Sequence, residues 1–86
     1  MYPAPVRAAI DAAAVEAGVE PDDVLVVSFE DREWASTALG CPQPGFSYAQ
    51  VVTPGYFVLL RAGDSEFEYH TNRANSVVLC ASTQVE

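Results

Sequence analysis

An α+β fold, one N-terminal helix packed on a four- to five-stranded antiparallel sheet, is what the sequence predicts. Three observations predict it. The stretch Ala4 to Ala17 is alanine-rich with apolar residues at helical spacing, whereas everything after Asp23 is a succession of short β-prone runs punctuated by Gly, Pro, Asn and Asp. The connections between those runs are short, which favours antiparallel neighbours and a helix laid over one face of the sheet. Finally, 86 residues suffice for one domain, 1–86, with a core of moderate size, so a covalent staple would contribute materially to stability.

The helix is expected over residues 4–17. Pro5 suits a first helical turn, Ala carries high helix propensity, and Gly18 is placed to end the element. Val6, Ile10, Ala13, Ala14 and Ala17 form its apolar stripe, and their small size lets the helix lie close to a sheet. After the connection through Pro21, strands are predicted over 24–29, 46–53, 56–61, 66–71 and 76–81. Between the first two, Glu30 to Glu33 reads as a charged connection to Trp34. Three carboxylates there match no dedicated calcium loop. Gly40 to Gly45, with Pro42 and Pro44, has to be irregular. Pro54-Gly55 reads as a tight turn between strands, and Ala62-Gly63-Asp64-Ser65 as the turn of a hairpin. In strand 66–71 the alternation puts Phe67, Tyr69 and Thr71 on a core face and Glu66, Glu68 and His70 on a wet one.

Net charge is −8, with twelve acidic residues, four Arg and no Lys. That balance argues against nucleic acid and anionic membrane surfaces, which require basic patches. No apolar run approaches the ~20 residues of a membrane-spanning helix, so no membrane insertion is expected. The N-terminus lacks the basic start and apolar block of a signal peptide.

Cys41 and Cys80 are expected to form a disulfide, the alternative being two unrelated thiols with Cys80 a buried structural one. A bridge would contribute about 4 kcal/mol in the chain-entropy view. It would also imply an extracytoplasmic or secreted protein; without it the expectation is cytoplasmic. Catalysis would need a Cys41 or Cys80 thiolate with His70 as base and Asn72 or Asn75 orienting the imidazole, and nothing in the spacing demands that. One His and two Cys fall short of a closed zinc site, and no phosphate loop, dinucleotide fingerprint or Ser elbow is present. No catalytic residue, metal ligand or cofactor is therefore assigned.

The segment Trp34 to Tyr56 holds the single Trp and three of the five Gly. Around it, Trp34, Pro42, Gln43, Pro44, Tyr48, Gln50, Tyr56 and His70 form a candidate binding surface, because aromatics with polar tips are favoured anchors at interfaces. The competing reading is that Trp34 covers the end of the core and the Tyr residues pack cross-strand.

The run LGCPQPGFSYAQVVTPGY, preceded by Trp34 and followed by FEYHT and VVLC, resembles a family of small uncharacterised bacterial domains. Their pattern is a Trp, LGCP-x-PG, Tyr-x-Gln, PG-Tyr, a Tyr-x-Tyr-His-Thr strand and a final Cys. Phe67 stands where the first Tyr of that strand motif would be. The resemblance implies a shared set of Trp34, Leu39 to Pro42, Pro44, Gly45, Tyr48, Gln50, Pro54 to Tyr56, Tyr69, His70 and Cys80, and no activity.

The functional expectation is a non-catalytic binding module, with loop 40–45 and the neighbouring aromatics contacting a protein or peptide; a protease-inhibitor-like use of the stiffened loop is a special case. Two alternatives stand beside it: a small thiol enzyme using Cys41 and His70, and a structural accessory domain of a longer exported protein.

Overall fold

The computed structural model describes residues 2–84. Its helix α1 spans Ala4–Ala17, the predicted range, with Pro5 in the first turn. Gly18 ends it in the left-handed region (φ 72°), where the amide of Val19 reaches back to the carbonyl of Ala14. A glycine adopts that conformation without the penalty a Cβ imposes. A 3-10 turn, Pro21–Asp23, then delivers the chain to the sheet.

Four strands follow: β1 (Leu25–Trp34), β2 (Thr53–Ala62), β3 (Ser65–Asn72) and β4 (Val77–Gln84). They form one antiparallel sheet in sequence order, β1-β2-β3-β4. Gly63-Asp64 makes the β2–β3 turn with Gly63 at φ 60°, so the predicted hairpin is present and Ala62 faces Ser65. Register slips at Val27 in β1 and near Glu68/Tyr69 in the β3–β4 pair mark two bulges.

The helix covers one face. Val6, Ala9 and Ala13 meet Val58, Leu60, Ala62, Phe67 and Tyr69, with Ile10, Val26, Tyr56, Val77 and Leu79 around them. Alanines on the helix stripe allow this close approach, and the larger sheet residues supply the buried volume.

Three expectations need correction. Residues 46–53 are not a strand; only Thr53 lies in one. The register that sets Trp34 opposite Thr53 makes β1 and β2 direct neighbours, and 35–52 becomes the long connection between them. The segment stays irregular and open to water, with only Tyr48 partly covered among residues 46–52. Pro54-Gly55 is not a turn but part of β2. β3 pairing starts only at Gly55, opposite Asn72, so Pro54 has no β3 neighbour to deprive of a donor. Lastly, Glu30 to Glu33 is not a connection: β1 continues through it to Trp34. As an edge strand beside β2 alone, β1 can carry charges at successive positions without burying them.

Candidate functional site

The face opposite the helix is where the sequence motifs converge. Trp34, at the end of β1, lays its indole against the ring of His70 from β3, with centroids 4.4 Å apart and planes 14° from parallel. The indole N–H donates to the backbone carbonyl of Thr71 at 2.9 Å. Phe57 of β2 packs on the other aromatic flank of His70 at 5.5 Å. The chain after β1 then folds over this pair, burying Ala38 and Leu39.

His70 is only 6% exposed, and both ring nitrogens have partners. Nδ1 lies 2.6 Å from the carbonyl oxygen of Leu39, which can only accept, so Nδ1 carries a proton and donates. Nε2 lies 2.7 Å from a carboxylate oxygen of Glu68. The imidazole therefore lies flat against the Trp34 indole with both nitrogens engaged. The Nδ1 proton follows from the partner, as for any histidine seen without its hydrogens.

Backbone geometry at the crossing depends on absent side chains. A Cβ on Gly40 would come within 2.9 Å of the Trp34 ring, and Gly40 also sits at φ 71°. Leu39 itself adopts φ 59°, unusual for a bulky residue and held there by burial of its side chain and by the hydrogen bond its carbonyl accepts. A Cβ on Gly55 would fall 1.7 Å from the carbonyl oxygen of Thr71, the same oxygen that receives the Trp34 N–H.

Beyond Gly40, Cys41 is bonded to Cys80 of β4, with Cα atoms 5.7 Å apart. Neither sulfur is a thiol in this state, so the Cys41–His70 pairing weighed above has no nucleophile while the bridge is closed. The loop is tied further along by the Ala49 amide donating to Thr37 Oγ1 and the Thr37 amide donating to the Ala49 carbonyl, both at 3.0 Å. Tyr48 Oη accepts from the Gln43 amide at 2.9 Å, closing the Pro44-Gly45 turn.

The eight residues proposed as a surface are therefore divided. Trp34 and His70 are interior packing of the second face. Tyr48 is half-buried and braces the loop from within, whereas Pro42, Gln43, Pro44 and Gln50 are exposed on it. Tyr56 lies on the helix side, where Phe29 meets its ring edge and the Arg73 guanidinium sits 5.0 Å from its centroid. Arg73 also donates to Tyr56 Oη at 3.1 Å and to Asp31 at 2.7 Å, and the hydrogen bond to Asp31 foremost holds its guanidinium charge above the ordinary arginine range. The segment also presents Phe46, 70% exposed, and Val52, 61% exposed, together with Val51. Sequence reasoning assigned these three to a strand and missed them; Pro44-Gly45 just before Phe46 was the available sign that the chain is redirected there.

Among the described residues no cavity opens, no three His, Cys, Asp or Glu side chains gather as metal ligands, and no helix is long and apolar enough to cross a membrane. A family model described as Domain of unknown function (DUF8738) matches residues 6–80, which spans α1, the whole loop and the sheet as far as Cys80. No curated protein and no solved structure matches the chain.

Proposed function

We propose, for a chain that belongs to the DUF8738 family and takes no described activity from it, that it is a non-catalytic binding module whose loop 42–52 contacts an apolar stretch of a peptide or protein. The observation that carries this reading is the pairing of exposed apolar side chains with a braced frame. Phe46, Val51 and Val52 face solvent, yet the segment bearing them is fixed by the Cys41–Cys80 bridge, the Thr37–Ala49 hydrogen bonds and the Gln43–Tyr48 contact. Leaving such residues in water is unfavourable, and fixing them in advance removes the ordering cost a partner would otherwise meet. The bridge also supports an oxidising, extracytoplasmic setting for the working protein.

Panning the oxidised protein against a random peptide library tests this. Enriched peptides should carry aliphatic or aromatic residues, and their binding should drop at least about tenfold with Phe46→Asp or Val52→Asp, as expected when an anchor is lost. Both variants should melt like the parent, since substitutions at such exposed positions cost within about 0.5 kcal/mol. Peptides that bind both variants as tightly as the parent would exclude the loop as the contact surface.

A further inference from the structure

A second surface, separate from the loop 42–52, lies along the outer edge of β1. This strand is ten residues long and has β2 as its single neighbour, so alternate backbone N–H and C=O groups of Leu25–Trp34 point away from the sheet. Past the bulge at Val27 the register is unbroken from Ser28 to Trp34, long enough for a further strand to pair. Pairing across to β2 places Phe29, Asp31 and Glu33 on the helix side of the sheet, in line with Val58, Tyr56 and Pro54. Phe29 is 38% exposed and is met edge-on by Tyr2, itself exposed, forming an aromatic shelf beside the open edge.

Charge selects the occupant. Residues 20–33 contain Glu20, Asp22, Asp23, Glu30, Asp31 and Glu33 against Arg32 alone, six negative and one positive, or −5 of the chain's −8. Arg32 lies on the other face of the strand, over Phe57 at 4.9 Å from its ring and bonded to Glu30, while Arg73 offsets Asp31 from one side only. A second copy of this chain would bring the same acidic edge against itself, and like charges directly opposite across strands are destabilising. We propose that β1 accepts an extended basic segment of another protein as an added antiparallel strand, with the pattern [Lys/Arg]-x-[Lys/Arg]-x-aromatic facing Glu33, Asp31 and Phe29. Main-chain hydrogen bonds would hold such a segment, and the alternate side chains would select it.

The probe is a blocked peptide, TVTKTKTFT, titrated into the 15N-labelled oxidised protein, with TVTETETFT as control. The lysine peptide should shift the amide resonances of residues 28–34, the glutamate peptide should bind several-fold more weakly, and raised salt should weaken the lysine peptide, since exposed charge pairs are screened. Exchanging the charges with Asp31→Lys and Glu33→Lys together should reverse the preference toward the glutamate peptide, a gain that a misfolded variant cannot mimic. Equal binding of both peptides, shifts confined to residues 42–52, or no shift at millimolar peptide would overturn the proposal. So would concentration-dependent broadening of residues 28–34 without peptide, which would assign the edge to a second copy of the chain. Phe46→Asp should leave the β1 shifts intact, which separates this outcome from that of the loop.

Discussion

Replacing Gly55 by Ala should open the second face of the sheet while leaving the helix side in place. The added Cβ would stand 1.7 Å from the Thr71 carbonyl oxygen and 2.7 Å from its carbon, both backbone atoms of the neighbouring strand. Relief to even 3.0 Å requires β3 to retreat by 3.0 − 1.7, or about 1.3 Å, at the point where Tyr56 pairs with Thr71. That displacement carries away the acceptor of the Trp34 indole, so the stacking on His70 loosens with it. Overpacking of this kind costs about 1–3 kcal/mol. A buried hydrogen bond adds about 1 kcal/mol. Together they amount to about 3 kcal/mol, which for a domain of this size lowers Tm by roughly 10–25 °C. Thermal denaturation by circular dichroism gives the first number. Emission of the single tryptophan, buried in the parent, should shift to the red in the variant. Gly45→Ala is the control: it introduces strain at φ 83° but meets no atom within 4 Å, so it should cost about 1 kcal/mol and leave the emission unchanged. A Gly55→Ala protein melting within about 3 °C of the parent, with unaltered emission, would refute the steric reasoning.

Reduction of the Cys41–Cys80 bridge, which closes a sequence separation of 39, should add two hydrogens to the intact mass and remove about 4 kcal/mol, read by urea denaturation with and without a phosphine reductant. Tyr69 is buried, and its phenol is raised above its ordinary 10 first by that burial and then by the charge of Glu16. Folding therefore favours the protonated phenol: its contribution is complete below pH 10 and is lost as pH climbs through the raised value. Tyr69→Phe should flatten that alkaline decline in denaturation midpoints, and an unchanged slope would contradict it. Among the described residues Thr71 Oγ1 is the buried side-chain polar atom without a hydrogen-bond partner, so Thr71→Val should raise the denaturation midpoint, by about 1 kcal/mol, rather than lower it.

How much of this was legible depended on whether the cause was local. α1 could be read to the residue because Pro5 and Gly18 act on their own backbone. The β2–β3 hairpin was equally plain from Gly63-Asp64. His70 shows the boundary: alternation put it on the correct face, with Glu66 and Glu68, but called that face wet. Its burial comes from Leu39, 31 positions earlier, and no periodicity within a strand reports a covering segment that distant. Gly55 was misread for a related reason, since a glycine needed for a turn and one needed because another strand passes close look alike in sequence. Charge misled at Glu30 to Glu33, where composition argued for a connection and the tolerance of an edge strand prevailed. For the candidate surface, residue type identified Pro42, Gln43, Pro44 and Gln50, whereas Phe46, Val51 and Val52 were taken as part of a strand over 46–53 and so left out of the surface.

The crossing of the loop over the sheet also sets an order of assembly. Its ties join residues far apart along the chain: 37 positions between Trp34 and Thr71, 31 between Leu39 and His70, and 39 across the disulfide. The β2–β3 hairpin, by contrast, starts from Ala62 and Ser65 on either side of two turn residues. Hairpins close in about 1–10 μs, whereas long-range closure waits on chain entropy and oxidation takes seconds or longer. A newly made chain is thus expected to form its β2–β3 hairpin early and to fix its outward-facing loop late, once β4 is in place to offer Cys80. Any partner of residues 42–52 would consequently recognise matured, oxidised molecules and pass over freshly synthesised ones, which gives the bridge the character of a timing mark as well as a brace.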